Sequence, residues 1–267
     1  MTASLFVNAV AFNAPGLGCA AELFAHFDGA PLAAAEAWTP MPERLPRRQA
    51  LRLSESTRLA MLAAEQIAGA VPAQAAWVFA SSTGDGWTLN EILASLSRPG
   101  MMIQPLRFQN AVHNAAQGQW SIAAGATGPA TSIAAYDDSV GAGMLKAMMQ
   151  AALERTDVGL VLFDAPLPPP LHEKRPVALP MAAAFALSPE PGAATLCRLA
   201  LQVIAPGRPS DPAEAAVAQA LRCSGNPVRF VLPLLERIHR ADPRPLVLGL
   251  PGGAGLEVTV GEAPDAR

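Results

Sequence analysis

Two adjacent aspartates, Asp137 and Asp138, lie where a short apolar segment is followed by a helical one. The segment TSIAAY ends at residue 136, and the apolar residues of SVGAGMLKAMMQAALERT recur at helical spacing. Two close carboxylates can share a proton and work as acid and base, with His113 as the nearby group that such chemistry needs. With Ser139 they also fit a helix N-cap, in which short polar side chains accept hydrogen bonds from free backbone N–H groups. The residues alone leave both interpretations open.

Other motifs for chemistry are weak. The loop STGDG resembles a phosphate cradle only loosely, because it lacks the lysine and the spacing of a P-loop. Cys19, Cys197 and Cys223 form no CxxC pair, and the four histidines are isolated, so we expect neither a metal site nor a cofactor. An odd number of scattered cysteines is typical of a reducing cytoplasm.

Strands that alternate with helices must position these residues. Short apolar segments (SLFVNAVAF, AWVFASS, TSIAAY and VGLVLFDAP) are separated by segments with helical periodicity. This order predicts an α/β fold with a mostly parallel sheet covered on both faces. His113 is expected on the helix NAVHNAAQGQWSIAAG, while Gly141 and Gly143 indicate that the helix after the two aspartates packs closely against its neighbours.

The last third of the chain differs in pattern. A proline-rich connector, PLPPPLHEKRPVALP, precedes two segments, AAAFALSP and ATLCRLALQVIAP, that are expected to pair as antiparallel strands across the turn EPGA. Two helices, PAEAAVAQALRC and VRFVLPLLERIHR, follow. The segment PLVLGLPGGAGLEVTV predicts a closing hairpin around a glycine turn.

Composition excludes several classes of protein. With 267 residues, of which 51% are hydrophobic and 15% charged, the chain can bury a large core. A net charge of −3 gives no general attraction for nucleic acid or an anionic membrane. No lysine or arginine precedes Arg44, so the apolar N-terminus is expected to be a strand and not a secretory signal. No uncharged apolar run reaches the roughly 20 residues of a membrane span.

Several segments resemble a known family when they are taken in order. These are NAVAFNAPGLGCAAELFAHFDGAP, LSESTRLAMLAAEQIAGA with WVFASSTGDG, the segment that carries Asn114, Gly118 and Gly128-Pro129, and VLGLPGGAGLEVTV. Together they resemble a β-ketoacyl synthase of the thiolase fold. The chain is most similar to the short ketoacyl-synthase-like proteins that act as chain length factors in aryl polyene and related pigment pathways.

The resemblance runs from residue 4 to about residue 204 and resumes at the C-terminal end. It implies one ketoacyl-synthase-like domain over residues 1–267, with a thiolase-like half at 4–204 and a shortened remnant at 205–267. It also implies a mixed five-stranded sheet covered by helices and closed by a short C-terminal hairpin.

The resemblance also implies a missing nucleophile. In a working synthase the strand after Gly-Pro delivers a cysteine at a helix N-terminus, and counting from Gly128-Pro129 places Asp137 at that position. An aspartate there, stabilised as an anion by the helix, cannot hold an acyl chain as a thioester. The two histidines of the synthase C-terminal half are absent, and His239 is expected on the polar face of a helix. No catalytic residue of the family therefore remains.

The function that follows is that of a non-catalytic subunit. The resemblance implies a heterodimer with a catalytic β-ketoacyl synthase, in which this chain lines the tunnel for the growing product and limits its length. Acyl carrier protein is a second candidate partner, which the basic residues Arg44, Arg47 and Arg48 could meet, although a solvated loop is the simpler interpretation of this cluster. Two alternatives stay open: a stand-alone acyl-thioester hydrolase or decarboxylase that uses Asp137 or Asp138 with His113, and a homodimeric acyl-binding or scaffold protein.

Overall fold

Eight strands form a single sheet in the computed structural model, which describes residues 2–33, 38–98, 100, 102, 105–210 and 216–263. The apolar N-terminus is the first of these strands, as its sequence predicts. The strands are β1 (Thr2–Asn13), β2 (Ala76–Ala80), β3 (Ala130–Ile133), β4 (Val158–Asp164), β5 (Met181–Ser188), β6 (Cys197–Ile204), β7 (Leu246–Leu250) and β8 (Ala254–Gly261).

The sheet has the order β3-β2-β4-β5-β1-β6-β8-β7. Its first five strands form the mixed five-stranded sheet that the resemblance implies, and β6, β8 and β7 extend it. The prediction of a mostly parallel sheet is wrong: of the pairings described, only β2 with β3 and β2 with β4 are parallel. The other five neighbouring pairs run antiparallel.

The predicted pairing of the segments AAAFALSP and ATLCRLALQVIAP is also wrong. They form β5 and β6, but β1 lies between them and pairs antiparallel with both. Phe6 of β1, for example, faces Ser188 on one side and Arg198 on the other. A connection from β5 to β6 therefore crosses over a strand that comes from the beginning of the chain, which local turn chemistry does not reveal.

Ten helices accompany the sheet in the described part of the chain. They are α1 (Ala20–Phe27), α2 (Arg47–Ala50), α3 (Glu55–Ile67), α4 (Gly86–Leu96), α5 (Pro105–Asn110), α6 (Ala115–Ala124), α7 (Ser139–Glu154), α8 (Leu171–Lys174), α9 (Ala216–Leu221) and α10 (Leu232–Arg240). The predicted helix PAEAAVAQALRC lies partly outside the described residues, and α9 is its described part. Among the described residues no helix is both long and apolar enough to span a membrane.

Helices cover both faces of the sheet, as predicted. The strands alternate between two cores, since Val78 of β2 packs into one and its neighbours Trp77 and Phe79 pack into the other. Helix α7 contributes Met144 and Met148 to the first core, and α3 and α6 contribute to the second. The predicted C-terminal hairpin is confirmed as β7 and β8, which lie beyond β6 in the same sheet.

Candidate functional site

The two aspartates lie in a tight turn at the carboxyl end of β3. The turn is a short 3₁₀ segment, Tyr136–Asp138, and leads directly into α7. Tyr136 has φ of +53°, a left-handed conformation that is uncommon for an aromatic residue and costs about 1–3 kcal/mol. Since β2, β3 and β4 are parallel, the loops that follow them meet at one edge of the sheet, where ligands of α/β proteins commonly bind.

Close packing of α7 holds this turn in place. A Cβ atom at Gly141 would lie 2.0 Å from the carbonyl oxygen of Gly249 in β7, and one at Gly143 would lie 2.7 Å from the Cβ of Ala80 in β2. Both positions therefore need glycine, and the predicted close approach of this helix is confirmed. Helix α7 contacts β7 at Gly141, in its first turn, and β2 at Gly143. The start of the helix therefore cannot shift without moving the sheet.

Asp137 is bound by an arginine and not by the helix. Its Oδ1 accepts a hydrogen bond of 2.8 Å from the Nη2 of Arg175, whose side chain is only 12% exposed although that of Asp137 is 58% exposed. The guanidinium of Arg175 also lies over the ring of Tyr136, 3.6 Å from its centroid. Asp137 is thus paired with a cation from its own chain.

The predicted N-cap is confirmed in its position but not in its side-chain hydrogen bond. Asp138 occupies the N-cap position of α7, but its side chain makes no capping hydrogen bond. The hydroxyl of Ser139 instead accepts a hydrogen bond from the backbone N–H of Ala135 and donates one to the carbonyl of Tyr136. The serine closes the turn on its own, which leaves Asp137 free to turn towards Arg175.

Asp138 points towards the closing hairpin. Its Oδ1 lies so close to Gly249 that a Cβ atom there would displace the Asp138 side chain. Burial raises the pKa of the Asp138 carboxyl, and the neighbouring charge of Asp137 raises it further. No hydrogen bond joins the two carboxylates among the described residues, so the structure offers no shared proton of the kind that an acid–base pair requires.

His113 does not approach the aspartates through any described hydrogen bond. It lies in the turn between α5 and α6 and not within the predicted continuous helix, and its Nε2 is 3.1 Å from the carbonyl oxygen of Ser81. Its ring packs beside Gly84 in the loop after β2. The site as described joins Asp137 to Arg175 and joins His113 to the β2 loop.

The loop STGDG holds a carboxyl group that belongs to the protein itself. Asp164, at the end of β4, is 1% exposed, and its carboxylate accepts hydrogen bonds from the backbone N–H groups of Ser82 and Thr83 and from the hydroxyls of Ser81, Ser82 and Thr83. Burial raises the pKa of Asp164, and these hydrogen bonds oppose that rise. The N–H groups that a phosphate would need are therefore already in use.

The two buried cysteines offer no nucleophile. All three are free thiols. Cys19 precedes α1, and Cys197 lies in β6, where burial raises the pKa of its thiol to about 12. Burial likewise raises the pKa of Cys223. Since the thiolate is the reactive form, the two buried cysteines are unreactive.

The other predicted residues have structural contacts. His239 of α10 stacks on Phe24, with 4.8 Å between ring centroids, and lies 2.9 Å from a carboxylate oxygen of Asp28, so it joins α10 to α1 and does not simply face solvent. Of the basic cluster, Arg47 and Arg48 are exposed on α2. The guanidinium of Arg44 lies over Trp120 at 5.5 Å.

Sequence reasoning missed Arg175, Tyr136 and Asp164. Arg175 lies in the proline-rich connector and has no local pattern that would place it beside Asp137. Asp164 did carry a signal, because a carboxylate that ends a continuous apolar strand must find hydrogen-bond donors nearby.

An edge of the sheet next to the site is free. β3 pairs only with β2 in the described part of the chain, and its four residues are half-buried. Of the twelve large apolar side chains that are exposed in the described part of the chain, eight lie between residues 87 and 122, on α4, α5, α6 and their connections. They include Trp87, Leu93, Phe108 and Ile122, which is 82% exposed. A concentration of this kind is typical of a surface that another protein covers.

Comparison with known proteins shows the family. The sequence of residues 26–243, which is most of the chain, matches the family model for the β-ketoacyl synthase N-terminal domain. The chain therefore belongs to the β-ketoacyl synthase family and has its thiolase-like fold. No curated protein is similar enough in sequence to match it.

Solved structures agree with this fold. One is the complex of a ketosynthase with its chain length factor from Xenorhabdus doucetiae. One chain of that complex is 22% identical in sequence to this chain and superposes with a TM-score of 0.73, and the match covers 96% of this chain and 99% of that chain. A chain of the ishigamide ketosynthase/chain length factor is 14% identical, with a TM-score of 0.70 over 98% and 100%. A β-ketoacyl synthase from Burkholderia phymatum STM815 is 12% identical, with a TM-score of 0.61 over 83% and 69%.

Proposed function

We propose that this chain is a chain length factor, a non-catalytic subunit that pairs with a catalytic β-ketoacyl synthase and limits the length of an aryl polyene or similar product. The observation that carries the proposal is the pairing of Asp137 with Arg175, since the resemblance to the family implies that Asp137 stands at the position of the nucleophile. A carboxylate held by a guanidinium neither attacks a thioester nor stores an acyl chain.

The free sheet edge supports the heterodimer. An edge strand with unpaired backbone groups can continue into a second sheet, and the exposed apolar side chains of α4 and α5 would be covered by the same contact. The solved relatives that match along their whole length come from ketosynthase assemblies, one of which contains a type II acyl carrier protein with its ketosynthase. We infer the same kind of partner here, with acyl carrier protein as a second one that exposed Arg47 and Arg48 could attract.

Two further features belong to this proposal. We propose one domain over residues 1–267, with a thiolase-like half at 4–204 and a remnant at 205–267, supported by the continuation of one sheet through β6, β8 and β7. We also infer a cytoplasmic location, which the three free cysteines favour.

Nothing in the site favours a stand-alone hydrolase or decarboxylase. Such an enzyme would need His113 near Asp137 or Asp138, whereas the described hydrogen bonds take His113 to Ser81 and Asp137 to Arg175. Turnover of acyl thioesters by the purified chain alone would contradict the proposed function.

The test is co-purification. The tagged chain is expressed together with its neighbouring genes, and the purified material is analysed by native mass spectrometry. We expect a one-to-one complex with a cysteine-bearing ketoacyl synthase, burying roughly 2,000 Å² or more in total. A stable monomer or homodimer that does not bind a co-expressed synthase would overturn the proposal.

A further inference from the structure

A small cavity beside Asp137 has more cations than anions in its lining. It has a volume of about 170 Å³ and lies between the turn before α7, the end of α8 and the segment 225–230. Lys174, Arg175 and Arg229 line it, and Asp137 is the one carboxylate among its lining residues. Three positive charges thus face one negative charge, which leaves an excess of two positive charges.

The two guanidinium groups are held in place by their surroundings. Arg175 stacks on Tyr136, and the guanidinium of Arg229 lies over Phe230 at 5.2 Å from the ring centroid. Asn226, which is 0% exposed, anchors the segment that carries Arg229, because its amide donates to the carbonyls of Asp164 and Leu179. The cations are therefore positioned before any ligand arrives, which lowers the entropy lost on binding.

Both arginines also keep an unused donor. The Nε of Arg175 and the Nε of Arg229 are buried, and neither has a hydrogen-bond partner among the described residues. A buried guanidinium N–H without a partner is unfavourable, and an oxyanion is the acceptor that matches its planar donor geometry. The cavity is far smaller than the roughly 300–1,000 Å³ of a pocket for a drug-sized molecule, so a long acyl chain does not fit its size.

We propose that this cavity binds a compact oxyanion of charge −2, either a phosphate group or a short dicarboxylate. Arg229 and Lys174 bind it directly, and Arg175, whose Nη2 stays on Asp137, contributes its positive charge to the attraction. The ligand neutralises the two excess charges. This inference does not depend on the chain length factor role, because it concerns a site inside this chain.

The experiment is a titration of the purified full-length chain, in the assembly in which it is isolated, with inorganic phosphate and separately with succinate at constant ionic strength. Calorimetry should show saturable binding of at least one of them. Saturation by phosphate alone would identify a phosphate site, and saturation by succinate alone would identify a dicarboxylate site. Saturation by neither would overturn the proposal.

Three variants test the assignment. Arg229→Gln should weaken binding by about tenfold or more, since it removes a charge-assisted hydrogen bond. Asp137→Asn should tighten binding severalfold, because it removes the opposing carboxylate. Arg98→Gln, an exposed arginine that does not line this cavity, should leave binding unchanged. Equal effects of Arg229→Gln and Arg98→Gln, or weaker binding by Asp137→Asn, would contradict it. If Arg229→Gln fails to fold, the expected tighter binding by Asp137→Asn still tests the proposal.

Discussion

The carboxylate of Asp137 and the guanidinium of Arg175 lie 2.8 Å apart and join the turn before α7 to the proline-rich connector, 38 residues further along the chain. This contact fixes the orientation of the Asp137 carboxylate. It also brings Arg175 to the wall of the cavity, so one ion pair contributes both to the proposed non-catalytic role and to the anion site that we propose.

The two partners of this ion pair should differ in their effect on stability. Asp137 is largely exposed, so Asp137→Ala should lower the free energy of unfolding by less than about 1 kcal/mol. Arg175→Ala should cost more, about 1–2 kcal/mol, because the nearly buried guanidinium also loses its contact with the ring of Tyr136. Urea denaturation of the two variants and of the double variant measures both losses and their coupling. A larger loss for Asp137→Ala than for Arg175→Ala would show that the ring contact contributes little.

Two helical glycines should respond in opposite ways to alanine. Gly141→Ala should destabilise the fold by about 1–3 kcal/mol, because the new Cβ meets the backbone carbonyl of Gly249 at 2.0 Å and backbone cannot rotate away. Gly118→Ala in α6 is the matched control, since no atom lies within 4 Å of its added Cβ, and it should stabilise by about 0.4–1 kcal/mol. Thermal and urea unfolding compare them. A neutral Gly141→Ala would mean that α7 can move away from β7.

The contribution of Asp164 to the free energy of unfolding should decrease as the pH rises, which is unusual for a carboxylate. Burial raises its pKa in the folded state, so the folded protein binds a proton more tightly than the unfolded chain. Its contribution to stability is complete below the ordinary aspartate pKa of 3.8 and is lost as pH rises through the raised folded value. The loss caused by Asp164→Asn should therefore be largest at low pH and smaller at neutral pH, as urea denaturation between pH 3 and 7 would show.

Asp242 provides the opposite case in the same chain. The guanidinium of Arg244 donates hydrogen bonds to its carboxylate and lowers its pKa to about 2. Its contribution to stability is present above the ordinary pKa of 3.8 and is lost as pH falls towards 2. The effect of Asp242→Asn should thus shrink on acidification while that of Asp164→Asn grows. Parallel pH profiles for the two variants would contradict the raised pKa of Asp164.

Much of the fold could be predicted from local patterns. The continuous apolar run VGLVLFD forms β4, with every residue buried, and the helical periodicity after Ser139 forms α7. These features follow from neighbouring residues, which determine burial and backbone conformation together. Gly141 and Gly143 also predicted that the helix has a close neighbour, although they did not indicate which strand that neighbour is.

The pairing of distant segments could not be predicted in this way. β1 separates β5 from β6 although it comes from the other end of the chain, so no turn between β5 and β6 records its presence. Arg175 reaches Asp137 because the connector is held by residues beyond it: a Cβ atom at Gly225 would lie 1.7 Å from the carbonyl oxygen of Pro176. The site is built by contacts of this kind between distant segments. A capping rule that considers only Asp137, Asp138 and Ser139 omits Arg175, which determines the orientation of the Asp137 side chain.

The exposed apolar surface on α4 and α5 should be needed for the partner and not for the fold. Leu93 and Phe108 are 51% and 62% exposed, so Leu93→Asp and Phe108→Asp should leave the unfolding transition of the isolated chain nearly unchanged. In a complex each would bury an unpaired carboxylate, and we expect at least about tenfold weaker association with the co-expressed ketoacyl synthase. Leu153→Asp is the matched control, because Leu153 is 68% exposed near the C-terminal end of α7, outside this surface. Pull-down yields and dissociation constants from biolayer interferometry measure the effect. Equal binding by all three variants would place the partner on another face of the molecule.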